Sequence, residues 1–252
     1  MTYCVSLLLR DGLVTLSDTR TNAGPDNILC FPKLLVVEQP GERVIALQTA
    51  GDLALTQSVT SALAEGVATE YGRETLSSVP TLYRAAKLVG HAIRQVYRED
   101  GADLEAQKVP FDLSFLLGGQ IAGQPLQLFQ LYAAGNFIEA GPDTPFLQIG
   151  EHKYGKPILD RALRHDTDLE DGIKLALISM DSTLRSNLAV GMPVDLAVVR
   201  RGEPRVALQR RITEDDAYFR MIRERWSAAL REAYLAIPRP DWAVGLPPCE
   251  RR

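Results

Sequence analysis

Two apolar runs near the N-terminus, residues 3–9 and 13–17, flank Arg10-Asp11-Gly12. Asp-Gly between such runs is the strongest short-range signal for a β-hairpin. The pattern recurs at 34–38 and 44–49 around Gln39-Pro40-Gly41-Glu42, and a Gly-rich turn joins expected strands 111–117 and 126–132. Shorter strands are expected at 137–139 and 146–149, and later ones at 194–199 and 205–208. Strands that arrive as hairpins, rather than singly between helices, disfavour a parallel doubly wound sheet. They favour antiparallel sheets with helices packed outside.

The intervening segments read as helices. Residues 52–71 repeat Leu55, Val59, Leu63 and Val67 at four-residue steps, which defines one apolar face. Residues 80–100 carry Leu82, Ala86, Val89, Ile93 and Val96 on a second such face, with Pro80 at a first-turn position. A block from 154 to about 184 breaks near His165-Asp166 and then aligns Leu169, Ile173, Leu177, Met180 and Leu184. Residues 215–235 form a final charged helix, followed by a Pro-rich extension, and 18–30 read as a polar loop. With no internal repeat and no dividing linker, residues 1–252 read as one α+β domain, a two-sheet core flanked by helix layers.

Composition narrows the function classes. The net charge of -4 gives no footprint for nucleic acid. No apolar run approaches the roughly 18 residues of a membrane span, and residues 3–9 lack the flanks of a signal peptide, so a cytoplasmic protein is expected. Cys4, Cys30 and Cys249 are too few and too widely spaced for a disulfide framework or a zinc site, and they read as buried or inert thiols. No Gly-x-Ser-x-Gly elbow accompanies His91, His152 or His165, and no phosphate-binding loop occurs. His91 falls off the apolar face of its helix, and Gly118-Gly119 with Gly123 reads as a turn. No metal or cofactor is expected.

The chemistry concentrates at Met1-Thr2. Removing Met1 would leave Thr2 with a hydroxyl nucleophile and a free α-amine, whose reference pKa of roughly 7.7–8.0 leaves a fraction unprotonated near neutral pH. Such an amine can take the hydroxyl proton directly or through a water. Asp18 ends the strand that returns toward the N-terminus, and Lys33 lies just before the next strand. A buried Lys33–Asp18 pair near Thr2 would lower the hydroxyl pKa and keep the amine partly neutral. Gly51, in Thr49-Ala50-Gly51-Asp52 between a strand and a helix, could offer its N–H to an oxyanion. Each also has a plain reading: a loop aspartate, a surface lysine, a tight turn capped by Asp52. A two-residue turn at Asp11-Gly12 would pair Thr2 with Thr21 and put Asp18 on the opposite face, so a one-residue register shift is required.

Thr2, Ser17-Asp18-Thr19-Arg20, Lys33 and Gly51 resemble the active-site spacing of proteasome β-subunits, within the N-terminal nucleophile hydrolases. Met1-Thr2-Tyr3-Cys4, Phe31-Pro32-Lys33, Ser179-Met180-Asp181-Ser182-Thr183 and the run from Ser186 through Gly191 to Leu196 resemble the Anbu, or ancestral β-subunit, family most. The resemblance implies a four-layer αββα sandwich and a threonine peptidase with Thr2 as nucleophile, its amine as base, Asp18 and Lys33 in support, and Gly51 as oxyanion donor. It also assigns Asp181 and Ser186 to the neighbourhood of the amine, and it places Asn136 where many β-subunits carry serine. It further implies ring-like or open helical homo-oligomers, with residues 215–252 suited to subunit contacts, a peptide or unfolded-protein substrate, and an unfoldase partner of unknown kind. A self-assembling scaffold and an amidase for a small amide are the alternatives.

Overall fold

The computed structural model describes residues 1–22 and 28–243. Strands β1 (Tyr3–Leu9) and β2 (Gly12–Asp18) form the first hairpin. Within the expected loop, short β3 (Arg20–Asn22) pairs with β4 (Ile28–Cys30), while residues 23–27 and Cys249 lie outside the described residues. The second hairpin is β5 (Leu34–Gln39) and β6 (Arg43–Gly51). Helix α1 (Leu53–Glu65) begins at Asp52, whose carboxylate accepts the N–H groups of Ala54 and Leu55. It ends earlier than its apolar repeat suggests. Gly66 adopts φ +94, which halts the helix, and Val67 instead enters β7 (Val67–Thr69), paired with β8 (Gly72–Glu74).

Helix α2 (Leu82–Ala106) is capped by Thr81, so Pro80 precedes the helix rather than opening it. Strand β9 (Leu113–Ile121) absorbs Gly118 and Gly119, which the sequence suggests are a turn. Both glycines face crowded neighbours: a Cβ on Gly118 would press on Leu13, and one on Gly119 would strike the Val44 carbonyl. The chain continues through β10 (Gln127–Leu131), β11 (Phe137–Glu139) and β12 (Phe146–Gly150). Helices α3 (Lys156–Ala162) and α4 (Leu169–Ser186) are separated at His165-Asp166 as expected. Strands β13 (Val194–Arg200) and β14 (Val206–Ile212) precede α5 (Ala217–Ala236) and a single 3-10 turn at Asp241–Ala243.

Two antiparallel five-stranded sheets form the centre, ordered β12-β1-β2-β13-β14 and β11-β10-β9-β6-β5. Period-two alternation divides each strand between two layers. Cys4, Leu8 and Leu13 meet Val44, Leu116 and Leu128 between the sheets. Tyr3, Val5, Leu7, Val14 and Leu16 face α3, α4 and the start of α5, while α1 and α2 cover Ile45, Leu47, Phe115 and Phe129 of the other sheet. The order helix, sheet, sheet, helix is the αββα sandwich. Burying each such Leu, Val or Phe contributes roughly 1.5–3 kcal/mol. Among the described residues no helix is long and apolar enough to cross a membrane.

The first hairpin corrects the expected register. Leu9 faces Gly12 and Cys4 faces Ser17, so Arg10-Asp11 makes the turn and the slip is two residues, not one. Asp18 therefore keeps to the helix side with Leu16, and Thr2 to the inter-sheet side with Cys4.

Candidate active site

Thr2 ends the inter-sheet row of β1, and cross-sheet hydrogen bonds hold that row against β6. Ser6 Oγ donates to Gln48 Oε1 at 2.5 Å, and Gln48 Nε2 donates to the Leu16 carbonyl at 2.9 Å. The Cys4 thiol, whose pKa burial raises, points to the Thr49 carbonyl at 3.6 Å. These ties set the end of β6 beside Thr2. A cleft of about 490 Å³ opens there, lined by Thr2, Lys33, Thr49, Gly51, Asp52 and Leu53 among others. A smaller cavity of about 280 Å³ shares Lys33, Thr49, Leu53, Thr56 and Gln57 with it and reaches to Phe31 and Leu35. Thr2 is 8% exposed, whereas Met1 is 68% exposed. A larger cleft of about 680 Å³ lies along β12, but none of the expected site residues lines it.

Asp18 reaches this site from the other face of the sheet, through Lys33. The Lys33 ammonium donates to Asp18 Oδ1 at 2.7 Å and to the Arg20 carbonyl at 2.6 Å. Asp18 Oδ1 also accepts the Tyr3 N–H at 3.0 Å, and Oδ2 accepts the Gly191 N–H at 3.2 Å. Burial pushes the Asp18 carboxyl pKa up, and Lys33 with the two N–H groups opposes that push. An ammonium carries three donors. Two are used, and among the described residues the third has no partner.

Backbone alternation aims the Gly51 N–H. The N–H of Asp52 goes to Asp112 on the β9 side, and that of Thr49 to Lys33 on the β5 side. Gly51 shares the direction of Thr49, so its N–H points past Lys33 into the cleft, with no acceptor among the described residues. Its φ of +113 and the collision a Cβ would make with the Asp112 carbonyl leave the position to glycine.

The remaining candidates lie elsewhere. Asp181 is buried on α4 and accepts from Arg223 Nε at 2.8 Å, which ties α4 to α5. Ser186 is exposed at the last turn of α4. Asn136 sits in the β10–β11 turn, where its carbonyl accepts the Tyr132 N–H. None of the three lines the Thr2 cleft. Cys30 is exposed rather than buried, and His91 is exposed as expected. Among the described residues no group of three or more His, Cys, Asp and Glu is placed to hold a metal ion.

Sequence reasoning missed Glu151 beside Thr2, which carries no motif, and missed the part played by Asn187, which it met only as one position in the run from Ser186 to Leu196. The Glu151 N–H donates to the Thr2 carbonyl at 2.6 Å, and its buried carboxylate accepts from Asn187 Nδ2 at 3.1 Å. Below them, the Tyr3 hydroxyl bonds Ser179 Oγ and accepts from Gln148 Nε2, both at 2.5 Å, and burial raises the pKa of that phenol.

No family model matches this chain, and no curated protein matches it. Solved structures do. An Anbu (Gly-1) mutant from Hyphomicrobium sp. strain MC1 is 50% identical over 96% of this chain and 100% of its own, with a TM-score of 0.88. Anbu (ancestral beta-subunit) from Yersinia bercovieri is 47% identical over 95% and 99%, with a TM-score of 0.87. The Anbu complex from Pseudomonas aeruginosa, solved as a helical assembly, is 49% identical over 96% and 100%, with a TM-score of 0.89. Identity at this level over nearly the full length of both chains, on the same αββα sandwich, means that the chain belongs to the Anbu family of proteasome-like proteins.

Proposed function

We propose that the chain is a threonine-type peptidase that acts once Met1 is removed. Thr2 Oγ1 attacks the scissile carbonyl carbon while its hydroxyl proton passes to the α-amine. The developing oxyanion accepts the Gly51 N–H. The amine then gives the proton to the leaving nitrogen, the C–N bond breaks and an ester on Thr2 remains. Water, activated by the same amine, hydrolyses the ester and regenerates Thr2. Lys33 supplies positive charge beside the hydroxyl, and Asp18 fixes Lys33 in place.

One observation carries this reading: the buried Lys33 ammonium spends two donors on Asp18 and Arg20 and keeps the third for the cleft that Thr2 lines. An extended peptide suits the site better than a small amide, because a second cavity adjoins the cleft, with Thr49, Leu53 and Gln57 in the lining of both. Self-assembly belongs to the same reading. Beyond Ser227, α5 leaves its own core and presents Leu230, Tyr234 and Leu235, with Ile237 and Trp242 following. A relative forms a helical assembly, and this apolar face is the proposed contact between copies here.

The test is hydrolysis of fluorogenic peptides by protein whose intact mass shows Met1 removed. Wild type cleaves and Thr2→Ala does not. Equal cleavage by both removes Thr2 from the nucleophile role, and assembly without cleavage or Thr2 modification supports the scaffold alternative instead.

A further inference from the structure

A second buried carboxylate flanks the start of β1, on the side opposite Asp18. Tyr3 pairs with Gly150 in the β1–β12 ladder, and the next step brings the Glu151 N–H to the Thr2 carbonyl at 2.6 Å. Only glycine permits this approach: Gly150 has φ +79, and a Cβ there would collide with the Thr2 carbonyl. Glu151 is 6% exposed. Oε1 accepts the Lys153 N–H at 3.3 Å and Oε2 accepts Asn187 Nδ2 at 3.1 Å, while Asn187 Oδ1 accepts the Ala189 N–H at 2.9 Å. All of its donors are neutral, and no cation pairs with it among the described residues. An uncompensated buried carboxylate is costly. Removing Met1 creates an ammonium on the residue whose carbonyl Glu151 already holds.

We infer that Glu151, held by Asn187, is the positioning residue for the α-amine that Met1 removal liberates on Thr2. Segment 187–191 serves both carboxylates: Asn187 fixes Glu151, and Gly191 gives its N–H to Asp18. Glu151 thus holds the base while Asp18 holds Lys33. The other titratable groups around the amine are Lys33 and Asp52 in the cleft, Asp18 and Tyr3 beneath it, Cys4 between the sheets, and His152 and Lys153 after Glu151. The inference builds on the nucleophile role of Thr2, but its test reads the amine alone.

Met1-free wild type, Glu151→Gln and Glu151→Ala are pulsed with acetic anhydride across a pH series. Esters are removed with hydroxylamine, and the tryptic peptide ending at Arg10 is quantified by mass spectrometry. Residues 2–10 contain no lysine, so the only amine in that peptide is the one on Thr2. Loss of the neighbouring negative charge makes the ammonium easier to deprotonate, so the midpoint of labelling falls by about one unit in Glu151→Gln. Glu151→Ala removes the same charge and moves it the same way should Glu151→Gln not fold, and Glu151→Asp restores most of the shift. A midpoint unchanged in the folded variants overturns the inference. A shifted midpoint in a protein that cleaves no peptide upholds it and sinks the peptidase reading instead.

Discussion

Lys33 Nζ lies 2.7 Å from Asp18 Oδ1, and both side chains are nearly shut off from water, at 5% and 0% exposure. Such a pair stands only while both members are present. Lys33→Met leaves the Asp18 carboxylate buried and unpaired, at a cost of about 3–5 kcal/mol. Lys33→Met/Asp18→Asn recovers most of that loss, because no lone charge remains. Neither variant recovers acylation of Thr2, which falls at least a hundredfold, within the range seen when a single transition-state contact is removed. Urea denaturation and single-turnover labelling separate the two effects. A double variant that regained acylation would show that the pair is structural.

Gly51→Ala forces a left-handed φ on alanine and drives its Cβ into the Asp112 carbonyl. Strain of this kind costs about 1–3 kcal/mol, read as a lower urea midpoint. The N–H is displaced with the backbone, so kcat for a peptide substrate falls more than KM rises. A kcat equal to wild type would remove Gly51 from the oxyanion role.

Arg223→Ala strands the buried Asp181 carboxylate between α4 and α5. Because Arg223 is half exposed, the loss is modest, about 1–2 kcal/mol. Labelling of Thr2 by a peptide electrophile proceeds at the wild-type rate in this variant, since Asp181 does not line the cleft. A selective loss of labelling in a stable variant would return Asp181 to the site.

Asp216, the cap of α5, should make the stability of that helix depend on pH. Its carboxylate accepts the Phe219 N–H at 2.9 Å and pairs with Arg210 at 2.6 Å, the backbone bond being the main cause of its lowered pKa. A carboxyl lowered on folding stabilises above its ordinary value near 3.9, and that stability is lost as pH falls through the lower folded value. Asp216→Ala therefore costs about 1 kcal/mol at pH 7 and little once the pH is below both values. Circular dichroism melts at pH 7 and through a series of falling pH check this.

The layered fold was legible because apolar period announces strand and helix locally. Helix α4 keeps the face that Leu169, Ile173 and Leu177 predict, and Asp52 caps α1 where its position before the helix suggests. The first register was not legible. Asp11-Gly12 reads as a turn, yet Gly12 belongs to β2 because a side chain there would collide with the Val199 carbonyl of β13, a strand far along the chain. Thr2, Lys33 and Gly51 do share a cleft, with Asp18 behind Lys33. Asp181 was misleading because a polar residue on a helix does not disclose which helix will cover it. Glu151 was silent for the opposite reason, and the family-like run around Asn187 did not disclose its partner: each acquires meaning only when the Glu151 N–H meets the Thr2 carbonyl and Asn187 meets the Glu151 carboxylate.

A mass spectrum tests Thr2 as nucleophile most directly. Met1-free protein is treated with a peptide epoxyketone, a warhead that bonds a threonine hydroxyl and then the α-amine of the same residue. Tandem mass spectrometry of the peptide spanning residues 2–10 should place one adduct on Thr2 through both atoms, absent from Thr2→Ala and from chains that keep Met1. An unmodified Thr2 in folded, Met1-free protein would contradict the assignment of Thr2 as nucleophile.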